Sequence, residues 1–207
     1  VMHSAGRALV GIIQNDWLKN KTEVCDAYTN AILRAKKEIV ILGSYFLPGR
    51  KMSKALKKAS NRGVKITIIL AGISDVPLVR RATEHLYSTF LRDHIQIYEW
   101  EKSVLHGKAT VIDNHWSTIG SFNLNSLSCY GSIEMNVEIY SSTFAEKLHS
   151  DFNRVINECR KVTNNKLKQK ASILNRLADW LSYQIIRATI LFLTFLPHLR
   201  VLKKFRL

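Results

Sequence analysis

Apolar positions Val24, Ala27, Tyr28, Ala31 and Ile32 recur at helical spacing, which predicts a helix over residues 21–37 with Thr22 as its N-cap. The period then changes. Residues 38–42 (EIVIL) read as a buried strand that stops at Pro48, where regular structure cannot continue. A short basic helix over residues 53–62 closes on Gly63, a left-handed C-cap. Residues 64–70 form a second apolar strand, and a loop over 71–75 leads to a helix from Pro77 to about Arg92, with proline in its first turn. Residues 95–98, 108–113, 116–119 and 135–140 supply further strands, and 144–161 a closing helix. Strands alternating with helices predict an α/β sandwich around a mostly parallel sheet, with functional groups at the strand ends.

The two ends differ from this middle. Residues 1–20 are weakly patterned and fit a linker or a trailing strand from a preceding domain; the body of the fold is expected over 21–162. Residues 164–170 are a basic hinge. Beyond it Ile173, Leu174, Leu177, Trp180, Leu181 and Ile185 recur at helical spacing, with Arg176, Asp179 and Gln184 opposite or flanking, so 163–207 reads as a hinge followed by amphipathic and apolar helices. The uninterrupted apolar run, 188–197, is about half of the roughly twenty residues that a spanning helix needs. An interfacial or re-entrant anchor fits it, and so does a helix folded back on the domain's own surface. Phe192, Leu193, Phe195 and Leu196 make the segment apolar nearly all round, which favours the membrane.

Charge narrows the partners. Thirty-one Lys and Arg against 16 Asp and Glu give a formal charge of +15, which calls for an anionic partner: nucleic acid, an anionic lipid surface or a phosphorylated substrate. Cys25, Cys129 and Cys159 are an odd number without metal-like spacing, so neither a zinc site nor a disulfide is expected, and a reducing compartment is favoured. No signal peptide opens the chain. It starts on valine, as an excised piece of a longer protein would.

The densest chemistry lies over 105–136, reading LHGKATVIDNHWSTIGSFNLNSLSCYGSIEMN. Strand alternation puts His106 and Lys108 on one face and Asp113 on the other. An imidazole can attack phosphorus and carry it covalently, while an ammonium neutralises the non-bridging oxygens. Ser121 and Asn123, after a tight turn at Gly120, offer a hydroxyl and an amide to the same oxygens. Tyr45, Phe46 and Asp75 leave the first two strands on the same rim. The two aromatics fit a headgroup pocket or an ordinary core, and Asp75 a polar contact in the site or a helix N-cap.

The assembled pattern, H-x-K-x4-D-x6-G-S-x-N, resembles the phospholipase D superfamily motif. Residues 44–87, the IYEWEKSVLHGK stretch and GSFNLNSLS are similar to the C-terminal half of bacterial cardiolipin synthases. The resemblance implies a phospholipase D-like fold and a phosphatidyltransferase that forms cardiolipin from phosphatidylglycerol and a second phospholipid. It assigns His106 as nucleophile and Lys108 and Asn123 as phosphate ligands, with Ser121 contacting phosphate or fixing the turn. Asp113 belongs to the catalytic motif but, on the opposite face, is expected to anchor structure. Glu134 would orient the imidazole by accepting its other N–H. No cofactor or metal is implied. Such enzymes carry two motifs per polypeptide, and His85, His94 and His115 lack a following lysine at the required spacing, so the partner is a missing N-terminal half or a second copy. Asn125 and Ser132 depart from the more usual acidic and Asn residues. The implied location is the bacterial cell membrane, peripheral or monotopic, on its cytoplasmic face. A single-motif homodimeric nuclease is the alternative, and nucleic acid is the less favoured partner because of the apolar tail.

Overall fold

The computed structural model describes residues 8–19, 21–165, 167 and 172–204, with side chains from 195 onward left out; most of the basic hinge and the Phe195 and Leu196 side chains therefore lie outside the described residues. Nine strands form one sheet: β1 (Leu9–Asp16), β2 (Lys21–Thr22), β3 (Glu38–Gly43), β4 (Lys65–Ile73), β5 (Gln96–Val104), β6 (Lys108–Ile112), β7 (Trp116–Gly120), β8 (Ile133–Tyr140) and β9 (Arg160–Lys161), in the order β2-β1-β8-β7-β6-β3-β4-β5-β9. Helices α1 (Glu23–Arg34), α2 (Arg50–Asn61), α3 (Pro77–Arg92), α4 (Ser126–Tyr130), α5 (Ser142–Asn157) and α6 (Ile173–Lys204), with a single 3-10 turn over Trp17–Lys19, complete the described elements.

The sheet is mixed, not mostly parallel. Only β3–β4 and β4–β5 pair in parallel, and every other neighbouring pair is antiparallel. The reason is connection length. Parallel strands need a crossover, and α2 and α3 supply the two that exist. From β5 to β8 no helix crosses over the sheet: β6 and β7 join through a tight turn, and β7 and β8 through a loop that carries α4, so these neighbours run antiparallel. Residues 9–16 are not a linker but an integral strand, pairing with β8 along its whole length.

One core lies between the sheet and α1, α2 and α3, where Tyr28, Ile39, Ile41, Phe46, Leu56, Ile68 and Phe122 are fully buried. A smaller one lies beneath α5, built on Val40, Leu42, Ile69, Val111 and Phe152. Thr22 takes the predicted N-cap position but makes no capping bond: its Oγ1 donates to Asp26, and buried Asn15 instead accepts from Val24 N at 2.9 Å. Gly63 has φ +86, as a left-handed cap requires. The predicted closing helix is shorter, since the chain leaves α5 at Asn157 to add β9 to the edge of β5.

Cysteine usage is also corrected. Cys25 of α1 and Cys129 of α4 form a disulfide with Cα atoms 5.4 Å apart, leaving Cys159 free. Sequence spacing cannot report this pairing, because the fold brings α1 and α4 together from 104 positions apart. The inference of a reducing compartment loses its basis.

Buried Glu99 of β5 accepts from Arg80 of α3, Arg160 of β9 and, at 2.8 Å, Tyr87 of α3. Two guanidiniums and a phenol satisfy this carboxylate, and together they clamp α3 to the sheet.

Thiol titration of the unfolded, unreduced chain is expected to find one reactive cysteine, rising to all three after reduction. Reduction of so long a loop should cost about 4 kcal/mol in denaturant unfolding. Three reactive thiols before reduction would rule the bond out.

Candidate phosphoryl-transfer site

The candidate site sits where β6 begins. Every residue of β6 is buried, and Lys108 opens it, only 8 % exposed, with Nζ donating to the His106 carbonyl at 3.1 Å. His106 stands just ahead of the strand with its imidazole exposed, edge-on to Tyr45 with ring centroids 6.0 Å apart. Burial pulls the Lys108 ammonium below the ordinary lysine range, while the charges of Glu134 and Asp75 act to restore it.

The opposite lip is the loop after β7. Gly120 must be glycine: a Cβ there would strike the Met135 carbonyl and the Asn136 amide. Asn136, fully buried, accepts from Phe122 N at 3.1 Å and donates to Thr118 Oγ1 at 3.0 Å, so it fixes the loop from below. Ser121 Oγ donates to Glu134 Oε2 at 2.5 Å and accepts from Met135 N at 3.1 Å. Glu134's described hydrogen bond thus goes to Ser121. Asn123 Oδ1 is buried without a hydrogen-bond partner among the described residues, an acceptor that only a donor group could satisfy.

Tyr45 and Asp75 form a third wall. Tyr45 Oη donates to both Asp75 oxygens, at 2.7 and 2.8 Å. Burial, then that bond and charge, push the phenol up to about 12. The same bond, followed by the His106 and Lys108 charges, holds Asp75 below its usual range. Asp75 is therefore a polar contact at the rim, and Val76 occupies the N-cap position of α3. Phe46 is not in the site. It is fully buried and packs edge-on against Phe90 with centroids 5.5 Å apart.

Asp113 stands at the far end of β6. With Asn114 it forms a two-residue turn of positive φ (55° and 51°), closed by His115 N donating to Ile112 O at 3.1 Å. Its carboxylate accepts from Lys36 N and Lys37 N, both at 2.8 Å, and from Glu38 N at 2.9 Å. One side chain thereby ties the entrance of β3 to the β6–β7 turn. His85 lies outside the site against Tyr183 of α6, and Asn125 caps α4 by accepting from Ser128 N at 2.8 Å. Asn136 and the α4 cap were missed in the sequence. The G-S-x-N spacing was visible, but the amide beneath it is long-range.

Such a sheet with one histidine–lysine rim is that of phospholipase D-like domains. Nuc, a phospholipase D family member from Salmonella typhimurium, superposes with TM-score 0.65 at 20% identity, covering 76% of this chain and all of Nuc. Phosphatidylserine synthase from Haemophilus influenzae superposes with TM-score 0.68 at 13% identity, covering 90% of this chain and 47% of that one. Residues 28–156 match the family described as "Cardiolipin synthase, PLD-like domain", and the chain belongs to that family. Cardiolipin synthase B of Escherichia coli K12 is 33% identical over 166 residues, 80% of this chain and 40% of its own length. The minor cardiolipin synthase ClsB of Bacillus subtilis is 31% identical over 154 residues, 74% of this chain and 38% of its own. The chain thus spans about 40% of the length of these relatives.

Replacing Asp113 with Ala strands three backbone N–H groups. The expected outcome is a loss of about 2–4 kcal/mol in denaturant unfolding, with Asp113→Asn recovering part of it. In Asp75→Asn the Tyr45 phenol should titrate at lower pH, read by ultraviolet absorbance against Tyr45→Phe.

Proposed function

We propose that this domain is one half of a cardiolipin-forming phosphatidyltransferase, with His106 as the nucleophile. The observation that carries the reading is the combination on one rim of an exposed imidazole and a buried ammonium. In the first step an imidazole nitrogen of His106 bonds to the phosphorus of a donor phospholipid. The phosphorus–oxygen bond to the leaving alcohol breaks, and that oxygen takes a proton from an acid. In the second step a hydroxyl of phosphatidylglycerol attacks the phosphohistidine, loses its proton to the same group and releases His106. Lys108 and Asn123 hold the non-bridging oxygens through both steps. Ser121 holds the loop through its bond to Glu134, and in this reading Glu134 turns toward the imidazole once that ring is charged.

The acid–base group must come from a second motif, borne by the rest of a longer polypeptide or by a second copy. A surface for it exists. On the α5 side of the sheet no described helix covers β1 and β8, and Val10, Ile12, Ile119, Ile133 and Met135 are left exposed, Ile12 to 71 %. Burial of these side chains supports docking of that half there. Attachment to the membrane is peripheral, through α6; no helix among the described residues is long and apolar enough to cross a bilayer.

The test is lipid chromatography of cardiolipin-deficient cells expressing the full-length protein. New cardiolipin is expected, and His106→Ala should remove it by several orders of magnitude while the protein still accumulates. Cardiolipin formed undiminished by that variant would sink the nucleophile assignment. No cardiolipin, with cleavage of labelled DNA instead, would move the domain to the single-motif nuclease class.

A further inference from the structure

The tail helix is not an independent appendage. Asp179 of α6 pairs with Arg81 of α3 at 3.5 Å, and Tyr183 packs on His85 with ring centroids 5.0 Å apart. Both contacts share one sequence offset, so the two helices run in the same direction there and begin beside each other. Further along, a Cβ on Gly131, just past α4, would come within 3.1 Å of the Thr194 side chain of α6. The loop carrying Asp75 leads into α3, and the loop carrying Ser121 and Asn123 leads into α4. α6 therefore rests on the two elements that leave opposite lips of the site.

The face of α6 turned away from these contacts is apolar. Leu174, Leu177, Leu181, Ile185 and Phe192 recur every three or four residues along it or its repeats, and all are exposed, Leu174 to 78 %. The rim beside α6 is apolar as well. Ile73 at the end of β4 pairs with Val104 at the end of β5, two residues before His106, and both are exposed. Val76 and Leu78, at the start of α3, are exposed next to them. Arg176 and Arg187 of α6 are exposed along its flanks, in a chain of net charge +15.

We infer that α6 and the Ile73–Val76–Leu78–Val104 rim form one docking surface for an anionic phospholipid bilayer, which brings the mouth of the His106 site to the interface. The occupant is a bilayer because the surface is a one-sided apolar band with cations at its edges, and because it is continuous with the mouth of a site for phospholipid phosphate. The substrate class, though not the docking itself, rests on the transferase reading. A phospholipid would then present its phosphate to Lys108 while its acyl chains stay in the bilayer and pass over the rim, without full extraction into water.

Sedimentation of the full chain with vesicles of equal phosphatidylglycerol and phosphatidylcholine tests this. Leu78→Asp with Val104→Asp, and separately Leu177→Asp with Leu181→Asp, should each weaken binding about tenfold or more, since each pair replaces buried apolar area with charge. Ile12→Asp, on the other apolar face, should bind as the unsubstituted chain does. Rim variants that bind normally overturn the shared surface, and so does an equal loss from Ile12→Asp. Binding is read without turnover, so the pattern stands even where the transferase reading fails. In the unsubstituted chain, brominated phospholipid should quench tryptophan emission. Trp180→Phe should remove most of that quenching and Trp17→Phe little; the reverse result overturns the inference whatever the aspartate variants do to folding.

Discussion

A buried ammonium is the constraint from which the site follows. Lys108 opens a strand with no exposed residue, so its charge is moved out of water at the place where the chain turns from loop to sheet. Burial disfavours the charged form, and the carboxylates of Glu134 and Asp75 oppose that without forming an ion pair with it. Each carboxylate is engaged elsewhere, Glu134 by Ser121 and Asp75 by Tyr45. The free protein thus holds a cation whose compensation is incomplete. In the proposed reading, an anion arriving beside Lys108 completes it.

The loop facing Lys108 is held by means that leave the reacting groups free. Asn136 pins the Phe122 backbone from beneath, Gly120 permits the close approach, and Asp113 fixes the strand from its other end. Rigidity comes from these residues, so His106 can remain exposed and unpaired with them. The motif therefore divides into an exposed part at the rim and a part that sets distances.

What could be read from the chain follows the range of the interactions. Periods of two and 3.6 residues exposed α3 at its true bounds, and β3 and β6 to within a residue, because side chains facing one core repeat locally. The histidine–lysine spacing and the G-S-x-N turn were legible for the same reason. Sheet direction was not, since it depends on how long each connection is, not on the strands themselves. Asn15 capping α1 from β1, Asn136 under the β7 loop and Cys25 bonded to Cys129 each join distant segments, and no local pattern announces them. Phe46 stayed open between pocket and core because an aromatic beside a proline turn looks alike in either place.

The place of β1 in the sheet bears on how the domain is made. It is the earliest described strand, yet its partner along its whole length is β8, with Leu9 against Tyr140. A ribosome delivers the chain from its N-terminal side, so Val10, Ile12 and Ile13 emerge long before the strand that hydrogen-bonds them exists. The sheet can close on that side only after the site loop and α4 have been synthesised. Such non-local pairing slows folding and prolongs the time for which an apolar strand edge is exposed to other nascent chains. The order of synthesis thus leaves the reactive half of the sheet, β6 to β8, to assemble before its flank is sealed.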